Sequence, residues 1–218
     1  MKIYDISLPI SPAMAVWPGD PYVEIQQLSS IDNGEEANVS QIRMSVHTGT
    51  HIDAPKHFLQ GAGSIDKLPI EKLMGETLVL RIDDKVDVID EKTLKDHPNI
   101  DDLVNCRKVL FKTRNSQYWD KYQTKFNEKF VGLNTSAAIF LAELNLDLIG
   151  LDYLSIAAYT DSEEPHKILL GKEIILLEGI NLHGVLQGTY HLICLPLPIV
   201  NSDGAPARAI LTEKGSFG

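Results

Sequence analysis

The sequence predicts a mixed α/β fold with more strand than helix. Short runs rich in Val, Ile and Leu recur along the whole chain, as is typical of strands. Segments with helical spacing are fewer and do not alternate regularly with the strands, so a doubly wound parallel sheet is not favoured. The 218 residues contain no repeat and no Ser/Gly-rich linker, and therefore suit one domain spanning residues 1–218.

Nine segments are predicted as strands. In residues 38–47 apolar and polar residues alternate, which predicts a strand with one buried face. The other segments are short and mostly β-branched or aliphatic. In chain order the predicted strands are 2–8, 22–28, 38–47, 77–82, 108–113, 147–151, 173–177, 191–195 and 207–212.

Three segments are predicted as helices. Residues 134–144 give the clearest pattern, because Asn134 or Thr135 can cap the first turn and apolar residues follow at helical spacing. Pro165 is expected to open a short helix over 165–170, since proline suits the first helical position. The third segment is 91–96. Pro and Gly mark turns at 17–20, 61–63 and 202–206.

The composition argues against two classes of partner. The chain has 20 Lys and Arg against 30 Asp and Glu, a net charge of −10. Nucleic acids and anionic membranes attract clustered Lys and Arg, so neither is expected as a partner. The first residues carry no secretion signal, and no apolar run approaches the ~18 residues that a membrane span needs. Cys106 and Cys194 form no CxxC motif and are expected to be reduced thiols, so we expect a cytoplasmic protein.

Chemistry-bearing side chains are concentrated in residues 45–58, which hold three of the seven histidines. On an extended strand His47 and His51 would lie about 13 Å apart, whereas a turn brings side chains four apart to about 5–6 Å. Gly49 permits such a turn, and Asp53 can converge with His51 if the chain curls. Imidazole and carboxylate are ordinary ligands of Zn²⁺ and similar ions, so these residues are expected to bind a metal.

His57 is expected to be the catalytic acid and base. The motif is not an HExxH helix, because no Glu follows His47 and Pro55 would stop a helix. A different proton carrier is therefore needed. Histidine titrates near neutral pH, which suits this role.

The segment 47–57, HTGTHIDAPKH, resembles the HxGTHxDxPxH signature of the metal-dependent cyclase and kynurenine formamidase family at every fixed position. Three other segments are similar to that family: WPGD at 17–20, GLDYLS at 150–155, which resembles GxDxxS, and DGAPARA at 203–209, which resembles DGxPxRA. The resemblance therefore extends over most of the chain.

The resemblance implies the swivelling β/β/α architecture of that family and a site for two divalent ions, Zn²⁺ or Mn²⁺. His47, His51 and Asp53 would hold the first ion. Asp53, His166 and Glu178 would hold the second, and His166 and Glu178 are identified only through the resemblance. It further implies a small-molecule substrate and a homodimer or homotetramer.

The activity that the resemblance implies is hydrolysis of N-formyl-L-kynurenine to L-kynurenine and formate, a step of tryptophan catabolism. Two alternatives stay open: a hydrolase of a cyclic amide or lactone resembling isatin, and a non-catalytic metal- or ligand-binding protein. Trp17 is either a wall of the substrate pocket or a turn residue packed on the core. Arg208 either binds a substrate carboxylate, which Arg can contact in bidentate fashion, or lies at the surface.

Overall fold

Short strands outnumber helices in the computed structural model, which describes residues 2–119 and 124–213. The strands of this part of the chain are β1 (Ile3–Asp5), β2 (Glu24–Ser29), β3 (Val39–Arg43), β4 (His51–Asp53), β5 (Met74–Arg81), β6 (Lys108–Lys112), β7 (Leu148–Leu151), β8 (Ile175–Glu178), β9 (Gly188–Pro196) and β10 (Gly204–Glu213). Its α-helices are α1 (Glu91–Lys95), α2 (Ile100–Asn105), α3 (Ser116–Trp119), α4 (Thr135–Ala142) and α5 (Glu163–Gly171). The predicted strand-rich α/β class is confirmed.

Seven of the strands close into a mixed barrel. The sheet order is β1-β10-β4-β8-β7-β6-β5-β9, and β9 also pairs with β10, so the ring returns to β10. The neighbours from β5 to β8 are parallel, and the remaining pairs are antiparallel. The parallel strands are joined by connections that carry the helices, as parallel neighbours require. Closure leaves no free edge within the ring, and β1 pairs with β10 beside β4.

The parallel barrel strands β6, β7 and β8 are buried on both faces. One apolar cluster fills the barrel and takes residues from every ring strand, including Ile52, Leu110 and Leu177. The other lies between the barrel and the helices, and takes the alternate residues Val109 and Phe111 together with residues of α4 and α5. Strands covered on both faces read as continuous apolar runs, which is why β6, β7 and β8 are recognisable in the sequence.

Each of the nine predicted strands overlaps an observed one, but the prediction for residues 38–47 is wrong in two respects. The strand β3 ends at Arg43, and it is exposed on both faces. In the part of the chain that the structure describes, it pairs with β2 alone, in a two-stranded sheet separate from the barrel sheet. Its alternating pattern therefore does not mark a face buried in this chain. The strand β4 and the helices α2 and α3 are not predicted by the sequence patterns.

The predicted helices are present, with one changed start. The Asn134 side chain caps α4 by accepting a hydrogen bond from the Ala137 amide, at 3.0 Å. The helix α5 begins at Glu163, so Pro165 lies in its first turn and does not open it. Within residues 2–119 and 124–213, every helix is too short or too polar to cross a bilayer.

Candidate active site

The strand β4 aligns His51 and Asp53. Alternate residues of a strand point to the same face, so an extended backbone directs both side chains the same way. The two side chains therefore converge on an extended strand, and no curl between them is needed. The antiparallel partner strand β8 places Glu178 directly opposite His51. As a result, the His51 Nε2 atom lies 3.4 Å from Asp53 Oδ1 and 3.3 Å from Glu178 Oε2.

A turn before β4 brings His47 back to this group. Gly49 has a φ of +66°, a left-handed conformation that favours glycine. The rings of His47 and His51 are 5.2 Å apart between centroids, and His47 Nδ1 lies 2.8 Å from Asp53 Oδ1. The turn predicted from the spacing of His47 and His51 is therefore present, and it brings the two rings together.

Gly179 allows this turn to pack against the end of β8. Its φ is +67°, and a Cβ at this position would lie 2.0 Å from the Gly49 carbonyl oxygen. The Thr50 hydroxyl donates a 2.5 Å hydrogen bond to the Gly179 carbonyl. The backbone at Gly179 therefore fixes the turn at Gly49 and Thr50 against the end of β8.

The helix α5 contributes His166 from the other side. Its Nε2 atom lies 3.1 Å from Glu178 Oε1 and 3.9 Å from Asp53 Oδ2. The Nδ1 atoms of His166 and His51 face the carbonyls of Ser162 and Gly49 respectively, and a carbonyl can only accept a hydrogen bond. In the neutral rings, Nδ1 therefore carries the proton and Nε2 presents a lone pair to the carboxylates.

These contacts set the charges of the cluster. Burial alone would lower the pKa of His51, but hydrogen bonds with Asp53 and Glu178 raise it to about 10. The same balance raises the pKa values of His47 and His166. Burial would raise the pKa of both carboxyls, but the facing imidazoles lower it, well below its ordinary value in the case of Asp53. The carboxylates are therefore ionised at neutral pH.

One oxygen of this cluster is unusual. Asp53 Oδ2 is buried and has no hydrogen-bond partner among the described residues. An isolated buried carboxylate oxygen is costly unless it binds something. Two ligand sets surround Asp53, one with His51 and Glu178 and one with His47 and His57, and within each set the donor atoms lie within 4.8 Å of one another. Nitrogen and oxygen donors without thiolate fit a divalent cation such as Zn²⁺ or Mn²⁺.

His57 lies beside the cluster on a short 3₁₀ turn, Pro55–His57. Its ring stacks on that of His47, with centroids 3.9 Å apart, and its Nδ1 atom is 3.7 Å from Asp203 Oδ2. Burial lowers the pKa of His57, so its imidazole is predominantly neutral at pH 7. A neutral imidazole at the edge of the site can accept a proton.

Asp203 is one of the site residues that the residue patterns miss. Its Oδ2 atom lies 2.8 Å from His47 Nε2. The only signal for it in the sequence is its place in the segment 203–209 that resembles DGxPxRA, and that similarity assigns it no role.

The cluster forms the floor of a cavity of about 210 Å³. The cavity is lined by Trp17, Asp20, His47, His51, His57, Phe58, Leu154, Ser155, Ser162, His166 and Glu178. Trp17 both lines the cavity and packs on the core, since its ring contacts Phe126, Phe130 and Tyr159. Phe58 stacks on His166 at 4.4 Å.

Arg208 is not brought to the cavity. It is paired with Asp5, with Nε 3.0 Å from Asp5 Oδ1, and its side chain is 74% exposed. Within one chain it holds β10 to β1, so the structure supports the surface alternative for this residue.

The sequence is similar to a known protein family and to several of its members. The family model described as "Putative cyclase" matches residues 4–158. Cyclase-like protein 1 of Arabidopsis thaliana is 39% identical over 223 residues, which cover 97% of this chain and 85% of the plant protein. Kynurenine formamidase of Salinibacter ruber (strain DSM 13855 / M31) is 34% identical over 215 residues, 98% of each chain.

A solved structure of a "potential metal-dependent hydrolase with cyclase activity" has a similar fold. It superimposes with a TM-score of 0.82 at 30% identity and covers 96% of each chain. The resemblance seen in the motif segments is thus confirmed over nearly the whole sequence.

Proposed function

Because this chain belongs to the cyclase family, we propose that it is a metal-dependent amide hydrolase. We further propose N-formyl-L-kynurenine as the substrate, which reacts with water to give L-kynurenine and formate. Support for this substrate comes from the similarity to kynurenine formamidases, at 34% and 31% identity.

The observation that carries the proposal is the unpaired Asp53 Oδ2 at the centre of a buried imidazole and carboxylate cluster, under an open cavity. Buried carboxylate oxygens in a purely structural cluster are ordinarily satisfied by a protein donor. The donor set fits two divalent ions, Zn²⁺ or Mn²⁺. His47, His51 and Asp53 would hold one, and Asp53, His166 and Glu178 the other. Such ions, when bound, polarise a carbonyl and lower the pKa of bound water.

The chain's own residues account for the proton transfers. Neutral His57 accepts a proton as water adds to the formyl carbon. The C–N bond then breaks, and His57 returns the proton to the departing nitrogen, because an amide anion is a poor leaving group. Formic acid and the free amine result, and formic acid loses its remaining proton to solvent to give formate. The cycle ends with His57 neutral again, which agrees with the lowered pKa of this residue.

The cavity lining suits an aryl amide. Trp17 and Phe58 offer aromatic surface to the ring of the substrate. Asp20 offers a carboxylate to the substrate's α-ammonium group. No Lys or Arg lies among the described lining residues, so recognition of the substrate carboxylate is not assigned to a cation of this chain's cavity.

A substrate panel with controlled metal content tests the proposal. The purified protein is treated with a chelator, reloaded with Zn²⁺ or Mn²⁺, and assayed on N-formyl-L-kynurenine and on isatin. We expect hydrolysis of N-formyl-L-kynurenine that is lost with the metal and restored with it. Hydrolysis of isatin alone would overturn the substrate and keep the reaction class. Metal-loaded protein that cleaves no amide would overturn the proposal and favour a binding protein.

We also propose that the chain forms a homo-oligomer, a dimer or a tetramer. The β2–β3 sheet supports this, because it exposes apolar residues: Ile25, Leu28, Val39 and Ile42 are 48–55% exposed. A two-stranded sheet gains little stability alone, and a second copy would cover these side chains. Light scattering after gel filtration is expected to give a multiple of 24.2 kDa, and Ile42→Asp to shift it toward the monomer. A monomeric wild type would contradict this.

A further inference from the structure

We propose that Asp203 is a positioning residue that fixes the tautomer and the orientation of His47 in the metal site. The inference rests on the proposed metal site and adds to it a residue that contacts no metal itself. It is carried by the geometry around His47 and by the backbone that holds Asp203.

The backbone of Asp203 is fixed relative to β4. The Ala54 amide donates a 2.9 Å hydrogen bond to the Asp203 carbonyl. The next residue, Gly204, pairs with Asp53 at the start of the β10–β4 ladder. The Asp203 carboxylate is therefore held at a set distance from the ligand-bearing strand, although its side chain is 44% exposed.

The two nitrogens of His47 face two different carboxylates. Nε2 lies 2.8 Å from Asp203 Oδ2, and Nδ1 lies 2.8 Å from Asp53 Oδ1. An ionised carboxylate only accepts hydrogen bonds, so in the metal-free chain both ring nitrogens carry a proton. A metal bound at Nδ1 would displace the proton that faces Asp53, and the contact with Asp203 would keep the other proton on Nε2. A neutral His47 held in this way presents its Nδ1 lone pair to the metal side of the site. A carboxylate behind a ligating imidazole acts in this manner in many metal sites.

Gly204 leaves space for the His47 ring. A Cβ at residue 204 would lie 2.6 Å from His47 Cε1, so the imidazole packs directly against this backbone. The ring is thus fixed by the hydrogen bond that it donates to Asp203 and by the absence of a side chain at Gly204. Asp203 Oδ2 also lies 3.7 Å from Nδ1 of His57, which stacks on His47. One carboxylate oxygen therefore faces both imidazoles.

Metal affinity tests the inference without relying on turnover. Metal-free wild type, Asp203→Ala and Asp203→Asn are titrated with Zn²⁺ in competition with a chromophoric chelator. Asp203→Ala removes the acceptor and is expected to weaken binding about 10–100-fold. Asp203→Asn keeps an oxygen acceptor for Nε2–H and is expected to recover most of that loss. Asp5→Ala is the matched control, because Asp5 is equally exposed, at 43%, and is not part of the site.

Thermal melting of the metal-free variants separates positioning from folding. Equal melting temperatures with weaker Zn²⁺ binding in Asp203→Ala alone support the inference. Wild-type affinity in Asp203→Ala would overturn it and leave the proposed function intact. An Asp203→Asn variant as weak as Asp203→Ala would overturn the hydrogen-bond mechanism. A wild type that binds no Zn²⁺ would overturn the inference and the metal site together.

Discussion

Replacing His57 by Ala is the most informative single perturbation of the proposed mechanism. The ring contacts the imidazole of His47 and the ring of Phe58, with centroids 3.9 and 4.4 Å apart, and its side chain is 30% exposed. His57 is absent from the buried ligand set of His51, Asp53 and Glu178. The substitution therefore removes a proton carrier and leaves that set complete.

His57→Ala is expected to lower the catalytic rate far more than it lowers the stability of the fold. General acid–base catalysis contributes about 10²–10⁴-fold in rate, so His57→Ala is expected to lower kcat by that factor. This corresponds to roughly 3–5 kcal/mol of barrier. The lost ring contacts are worth about 1 kcal/mol, which for a chain of this size lowers the melting temperature by about 2–4 °C. Activity should thus fall while folding and metal content persist.

The assay combines elemental analysis with a pH–rate profile. Because burial lowers the pKa of His57, wild-type kcat/KM is expected to fall as the pH drops through a value below 6.5. His57→Ala should retain its metal and lose this acidic limb. His97→Ala serves as a control, since His97 bonds the Arg81 carbonyl away from the cavity. Near wild-type turnover in His57→Ala would refute the catalytic role, and loss of metal would make His57 a ligand, in agreement with the alternative set.

Three further predictions concern the metal site and its support. Asp53→Asn is expected to lose its metal and to fall to the turnover of chelator-treated wild type; elemental analysis showing full metal content would contradict this. In the metal-free protein, hydrogen bonds with Asp53 and Glu178 outweigh burial and raise the pKa of His51 from 6.5 to about 10. The free energy of unfolding that this ion pairing contributes is fully present below pH 6.5 and is lost between pH 6.5 and 10. The melting temperature should therefore fall over that range, and a constant value would count against the ion pairing. Gly179→Ala should destabilise the folded chain by about 1–3 kcal/mol, because the new Cβ would clash with the Gly49 carbonyl. An unchanged melting temperature would show that the backbone at Gly49 can move aside without cost.

The part of the site that local sequence predicts lies within residues 47–57. His47, His51 and Asp53 are close along the chain, so a turn and a short strand are sufficient to gather them. His166 and Glu178 are more than a hundred residues away, and the β4–β8 pairing and α5 bring them in. Their identification depends on resemblance, because no spacing rule distinguishes His166 from the other distant histidines.

The errors in the fold have physical causes. The strand β4 is only three residues long and contains Asp, which strands disfavour. Sequence patterns therefore do not predict it. In β3 the alternating pattern indicates a buried face, but within residues 2–119 and 124–213 this strand pairs with β2 alone and is exposed on both faces. Sequence patterns do not indicate Asp203, because its partner His47 is 156 residues distant and the β10–β4 pairing brings the two together.

Anomalous diffraction from a crystal equilibrated with Zn²⁺ tests the metal site most directly. We predict anomalous density beside the Asp53 carboxylate, at the ordinary Zn–O and Zn–N distances of about 2.0–2.2 Å from Asp53 and from the Nε2 atom of His51. Density confined to other histidines, or none in this cluster at full zinc loading, would contradict a metal-dependent hydrolase built on these residues.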